Sequence, residues 1–427
     1  MAGHPSSARL VVLSIDGMRS DLYRWNADYN LAIPNILEMV ESGASADAVE
    51  SVYPSTTYPA HATLVTGVRP RAHGIYSHLA SLDPTERARP WHWFAPALRA
   101  PALWSAAQAT GKRTAAIGWP VSAGAPIDYN SPEIWDPACP DPQKDFSTVA
   151  RHSTPGLFDE VIKVLQPILH AASSDRIRGE AALHVWRNYR PDLLLVHFVG
   201  YDEQSHRHGP LSLQAFAALE QSDAEIGRIR EAVTGEGPVE LVVLSDHGFV
   251  PVENEAAPLT VLSEEGLFDS DGEGNHQLRR LGAVHAGGSF AIYWLESPGA
   301  EEHRALDRAL QRLSETGAVA EIVDREKLES LGADPDAEFI LDAAPGYYFS
   351  DRFDGSVVRP TVKDRGTHGQ LPGRPGLEAA FIAVGPEIAR GKNLQRISLA
   401  RITTALLRAL GLPADILVTE EDPLDLT

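Results

Sequence analysis

Short apolar runs alternate with segments of helical period along the chain. Leu10 to Ile15 reads as a buried strand, and so do Arg113 to Gly118, Asp192 to Phe198, Val239 to Leu244 and Phe381 to Val384. Ile33 to Val40, with Pro34 in its first turn, reads as a helix, as does Ala102 to Thr110, which Gly111 ends. Leu213, Phe216, Leu219, Ile226 and Ile229 recur at roughly helical spacing in a helix that ends near Gly235. A late helix is predicted over Ile397 to Leu410, closed by Gly411. This alternation predicts an α/β fold: a doubly wound, mostly parallel sheet with helices on both faces.

Two regions break the pattern. Pro120 to Pro155 is rich in Pro and Asp with little periodicity, and is expected to be a long surface loop or lid. Pro251 to Gly366 carries a strand-like Phe290 to Leu295 and a helix-like Glu302 to Leu313. The expected division is a catalytic core of residues 1–250 and 367–427 with an inserted cap subdomain of residues 251–366.

Composition narrows the function classes. The 427 residues, 43% hydrophobic, suffice for a large core, and one elaborated α/β domain can reach this length. A formal net charge of −21 argues against affinity for nucleic acid polymers, whose phosphates repel an acidic surface. Small anionic substrates stay open if metals supply local positive charge. A single cysteine, Cys139, allows no intramolecular disulfide, and no basic neighbour adjoins it to activate the thiol. Met1 to Arg9 is short and polar, and no stretch reaches ~18 uninterrupted apolar residues. The expectation is a protein without membrane association, cytoplasmic, or periplasmic or secreted if a leader is missing from this numbering.

The candidate chemistry sits mostly just after the strands. Asp16 follows Leu10 to Ile15, Asp202 and His206 follow Asp192 to Phe198, Asp246 and His247 follow Val239 to Leu244, and His368 lies in a glycine-flanked turn. Open α/β sheets place their sites at the carboxyl ends of strands. Asp202 and His206, four apart, share one face of a helical turn, where carboxylate and imidazole can bind one zinc at ~2.0–2.2 Å. Each residue alone has a plainer explanation: a helix N-cap for Asp16 or Asp246, a solvated pair for Asp202 and His206, a loop histidine for His368. Together they supply six ligands, enough for two metal ions with three protein ligands each. Ser55, Thr56 and Thr57 precede Pro59, which can open a helix at its first position. A hydroxyl there would lie at the positive helix end, a seat for phosphate, and spacing does not choose among the three. A divalent metal pair beside such a hydroxyl is machinery for phosphoryl transfer.

The ordered set resembles the alkaline phosphatase superfamily, and within it the nucleotide pyrophosphatase/phosphodiesterase branch. The matching order is the Asp16 strand, Thr57-Tyr58-Pro59-Ala60-His61, Leu64-Val65-Thr66-Gly67, Pro70 and Ala72-His73-Gly74-Ile75. It continues with Asp202 and His206-Arg207-His208-Gly209-Pro210, then Ser245-Asp246-His247-Gly248, and Gly366-Thr367-His368-Gly369. The resemblance runs from about Leu10 to about Leu412. It implies two zinc ions, one held by Asp202, His206 and His368, the other by Asp16, Asp246 and His247. It selects Thr57 as the nucleophile and counts its oxygen with the second ion. The implied reaction is in-line attack by Thr57 on phosphorus, giving a phosphothreonine that water activated at the other metal hydrolyses.

The same resemblance gives Tyr58 the place of an aromatic that stacks on a nucleobase, the alternative being ordinary packing under the cap. It puts His78, 21 positions after Thr57, where the branch has an asparagine that hydrogen-bonds a phosphoryl oxygen. A neutral imidazole donates one hydrogen bond, so the open readings of His78 are that it replaces that donor, alters substrate choice, or lies outside the site. The implied activity is hydrolysis of phosphodiester or pyrophosphate bonds in nucleotides or similar small phosphate esters. A phosphomonoesterase of the superfamily is disfavoured, because Pro120 to Pro155 contains no Lys-x-Arg pair to hold the extra charge. A phosphonate hydrolase would differ only in small substrate contacts. The complete ligand set argues against a non-catalytic binding protein, and the oligomeric state stays open.

Overall fold

The computed structural model describes residues 8–86, 88–139, 145–169, 171–270, 276–277, 280–413 and 415–427. Its centre is an eight-stranded sheet. The order is Lys392–Asn393, Ala44–Ser45, Phe381–Val384, Glu240–Leu244, Leu10–Ile15, Leu193–Phe198, Thr114–Ile117 and Tyr129–Ser131. The five strands from Glu240–Leu244 to Tyr129–Ser131 are mutually parallel, and Phe381–Val384 runs against them.

Side chains alternate along these strands and so feed two cores. Leu10, Val12, Leu193, Leu195, Val242 and Leu244 face one core, with helices Thr57–Thr66, Leu103–Ala109 and Ile402–Ala409. Val11, Leu13, Leu194, Val196, Leu241 and Val243 face the other, with helices Pro34–Ser42, Leu157–Leu165, Ser174–Tyr189 and Leu213–Thr234. This is the expected doubly wound arrangement. Burial on both faces explains why the central strands read as continuous apolar runs. No helix among the described residues is long and apolar enough to cross a membrane.

Two expectations are corrected. The late helix over Ile397 to Leu410 is three elements: strand Arg396–Ser398, a 3-10 turn Leu399–Arg401 and helix Ile402–Ala409. Pairing of Arg396–Ser398 with Ala48–Glu50, far away in sequence, overrides its helical period. Pro120 to Pro155 is not a surface lid. It contributes the edge strand Tyr129–Ser131 and helix Phe146–His152, and it buries Val121, Ala123, Ile127 and Ile134. Residues 140–144 of that stretch lie outside the described residues.

After Glu240–Leu244 the chain leaves the main sheet. Strand Val250–Ala256 pairs with Gly346–Phe349, Val358–Pro360 and Gly366–Thr367. Beyond it, an antiparallel sheet is ordered Leu281–Ala286, Ser289–Trp294, Phe339–Ala343, Val319–Val323. Helix Ala300–Glu315 packs on it through Leu306, Ala309, Leu310 and Leu313. The pairing of Thr367 with Val250 returns the chain to its point of departure, next to Asp246 and His247.

Candidate active site

Each candidate ligand is delivered by a rigid element. Asp16 follows Leu10–Ile15 directly, and its N–H donates to Phe198 O at 2.8 Å. Gly17, at φ +70°, turns the chain at once. Its N–H donates to Asp246 Oδ1 at 3.1 Å, which ties two strand ends together. Asp202 and His206 lie on helix Gly200–His208, on one face as their spacing predicts. The start of that helix is fixed from outside: Asp175 Oδ1 accepts from Val199 N–H at 2.8 Å and Gly200 N–H at 3.1 Å.

These residues form two adjacent triads. Potential ligand atoms of Asp202, His206 and His368 lie within 4.8 Å of one another, and so do those of Asp16, Asp246 and His247. His206 Nε2 is 3.6 Å and His368 Nε2 3.7 Å from Asp202 Oδ1. His247 Nε2 is 3.4 Å from Asp16 Oδ1 and 3.2 Å from Asp246 Oδ2. The rings of His247 and His368 stack at 3.8 Å, so the triads share a wall.

All three imidazoles are oriented alike. His206 Nδ1–H donates to Gly366 O at 3.2 Å, 160 residues away in sequence. His368 Nδ1–H donates to Ser55 O at 3.1 Å, and His247 Nδ1–H to Gly248 O at 3.0 Å. Each Nε2 lone pair is thereby turned toward carboxylates, the tautomer a metal-binding histidine needs. Asp16 Oδ1, Asp202 Oδ1 and Asp246 Oδ2 are buried and accept no hydrogen bond among the described residues. An unpartnered buried acceptor costs ~1–3 kcal/mol, more when charged. Three of them, converging on oriented imidazole nitrogens, fit divalent cations.

The electrostatics agree. Burial, then the neighbouring Asp246 carboxylate, raises the pKa of Asp16. Burial, then Asp16 and Asp246, raises that of Asp202 well above its ordinary value. Burial pushes His206 down to about 4 and His368 well below its usual range, so both imidazoles are neutral and free to coordinate. Crowded carboxylates without a counter-charge are an unfavourable arrangement that a cation relieves.

Thr57 opens helix Thr57–Thr66, whose N-cap is Thr56. The helix therefore starts two residues before Pro59, not at it. Proline is tolerated at this third position because first-turn N–H groups have no helical partner anyway. Thr57 Oγ1 lies 3.4 Å from His247 Nε2, at the edge of the second triad.

Tyr58 differs from its expected role. Its ring is fully buried, edge-on to Trp91 at 5.3 Å, and its hydroxyl donates to Glu133 Oε1 at 3.2 Å. Packed in this way it is part of the core, not an open surface for a base. His78 stands 4.6 Å from Trp91 and 6.0 Å from His285, centroid to centroid. Burial, with His285 and Arg89 nearby, holds its imidazole neutral.

The sequence profile described as "Type I phosphodiesterase / nucleotide pyrophosphatase" matches residues 10–371. The chain belongs to this family. Ectonucleotide pyrophosphatase/phosphodiesterase family member 3 of Mus musculus is 25% identical over 253 residues, 56% of this chain and 24% of the relative. Venom phosphodiesterase 2 of Crotalus adamanteus is 25% identical over 252 residues, 56% of this chain and 26% of the relative. The chain thus spans about a quarter of the length of these curated relatives. Murine ectonucleotide pyrophosphatase/phosphodiesterase 5, solved as an inactive form with AMP, superposes with a TM-score of 0.67 at 18% identity over 97% of each chain. At that identity the likeness is one of fold.

Membership in the phosphodiesterase/pyrophosphatase family leaves four polar residues near the triads that the sequence reading did not single out for a role. They are His61, Glu133, Asp175 and His197. His61 Nδ1–H donates to Thr57 O at 2.8 Å, and its Nε2 lies 2.9 Å from Ser14 Oγ. His197 carried a readable signal: it is the one polar side chain in the run Leu193-Leu194-Leu195-Val196-His197-Phe198. A polar group in a strand buried on both faces needs a partner, and that need points to a built network.

Proposed function

We propose that the chain is a two-metal phosphodiesterase and nucleotide pyrophosphatase that works through a phosphothreonine at Thr57. The observation that carries this reading is the set of three unpartnered carboxylate oxygens of Asp16, Asp202 and Asp246, facing oriented imidazole nitrogens beside the Thr57 hydroxyl. An Asp/His donor set suits zinc, with Asp202, His206 and His368 holding one ion and Asp16, Asp246 and His247 the other. When bound, such ions neutralise phosphoryl charge and make hydroxyl and water nucleophilic near neutral pH.

The chain's own residues do the rest. Thr57 Oγ bonds to phosphorus as the bond to the leaving oxygen breaks on the opposite side. The hydroxyl proton passes to solvent and is regained when water cleaves the phosphothreonine. The Thr57–Thr66 helix directs its positive end at the phosphoryl group, where negative charge gathers. Neutral His78 supplies a hydrogen bond near the leaving group or the phosphoryl oxygens. In this reading the described part of residues 251–366 serves as a cap that bounds the substrate.

A nucleotide substrate is supported by family membership and by the relative of this fold solved with AMP. The test is hydrolysis by zinc-loaded protein of thymidine monophosphate p-nitrophenyl ester, bis-p-nitrophenyl phosphate and p-nitrophenyl phosphate in parallel. The nucleotide diester is expected to be the fastest. A preference for the monoester overturns the diesterase reading.

A further inference from the structure

The second oxygen of Asp16 is not free. Asp16 Oδ2 accepts from His197 Nε2 at 3.1 Å. On its far side His197 Nδ1 lies 3.2 Å from Glu133 Oε2 and 3.2 Å from Gly118 O. Glu133 Oε2 also accepts from Arg178 at 3.1 Å, and Arg178 donates to His197 O at 2.8 Å. The other Glu133 oxygen accepts from the Tyr58 hydroxyl at 3.2 Å. A continuous polar chain therefore runs from Glu133 to a candidate metal ligand. It branches to the residue that follows Thr57. The His197 side chain is fully buried and that of Glu133 is 10% exposed.

We propose that His197 and Glu133 are positioning residues that fix the rotation of the Asp16 carboxylate and, through Tyr58, seat the first turn that carries Thr57. This inference rests on the two-metal reading above. A carboxylate on a rotatable side chain can present either oxygen to an ion. With Oδ2 taken by His197, only Oδ1 is left to face His247 Nε2, at 3.4 Å. That same Oδ1 is one of the buried oxygens without a partner. The support is therefore specific to one triad. Among the described residues, Asp202, His206 and His368 make no hydrogen bond to this network, and the two histidines draw their orientation from Gly366 and Ser55. Losing such a partner typically weakens metal binding 10–100-fold.

The experiment titrates the metal-free 427-residue chain with zinc against a chromophoric chelator, with a melting curve in parallel. Wild type is expected to take up two ions. In Glu133→Gln and His197→Ala, one site should weaken by ~10–100-fold while the other keeps its wild-type affinity. His197→Gln, which can still reach Asp16 with an amide N–H, should recover part of the loss. Should His197→Ala fail to fold, Glu133→Gln, nearly isosteric, decides alone. Unchanged affinity at both sites, or equal weakening at both, overturns the proposal, since a merely structural network would affect both triads through stability. A wild-type chain that binds no zinc overturns the two-metal reading and this inference with it.

Discussion

The Thr57 hydroxyl, 3.4 Å from His247 Nε2, is the proposed nucleophile. Thr57→Ala removes that oxygen and leaves all six Asp and His side chains in place. Turnover should fall by ~10³-fold or more with zinc content unchanged, as measured by steady-state rate and metal analysis. A retained rate would remove Thr57 from the mechanism. Glu133 gives a second prediction. Burial opposes its charge, but the hydrogen bond from His197 and the His197 and Arg178 charges outweigh it and hold its pKa at about 2, below the ordinary 4.5. A depressed carboxylate contributes stability that is complete above the unfolded value and is lost as pH falls through the folded one. Between pH 4.5 and about 2 the wild type should therefore lose stability more steeply than Glu133→Gln, read from melting temperature against pH. Parallel slopes would mean that Glu133 is not held ionised by its neighbours. At this scale Asp16, Asp202 and Asp246 were legible because acids shortly after strand-like, largely apolar runs are conspicuous. Glu133 was not, because nothing local to Pro132-Glu133-Ile134 records that Arg178 and His197 converge on it.

Among the elements, helix Gly200–His208 shows how local and distant sequence divide the work. The spacing of Asp202 and His206 set their shared face. The position of the helix is set by Asp175, which caps its first N–H groups from helix Ser174–Tyr189 and accepts from Ser222 at 2.5 Å. Asp175→Ala should cost ~1–2 kcal/mol, the range for lost caps, and lower zinc retention at the Asp202 triad, measured by denaturant melts and by chelator competition. Full retention would show that the helix is held by its packing alone. Other elements escaped the sequence for the same reason. The helix at Thr57 starts ahead of Pro59 because proline marks only a permitted position in the first turn. Tyr129–Ser131 is too short and polar to look like a strand, and becomes one by pairing with Thr114–Ile117.

Over the whole molecule, the layered sheet was legible because strands buried on both faces must be apolar, and that is a property of composition along the chain. The second sheet beyond Val250 was less so, since its strands mix apolar and polar positions and acquire their order only through antiparallel partners. The return of the chain at Gly366–Thr367 has a topological meaning. An ion held jointly by Asp202, His206 and His368 would convert the long excursion between them into a closed ring, like the clasp of a bracelet. Closing a large ring is only slightly harder than closing a small one, because the entropy of closure grows with the logarithm of its length. Stripping the ion with a chelator should then loosen the two ends of the ring first. Faster amide exchange is expected in Gly200–His208 and Gly366–Thr367, with Leu10–Ile15 unaffected. Fastened or open, the same covalent chain would then be two different mechanical objects.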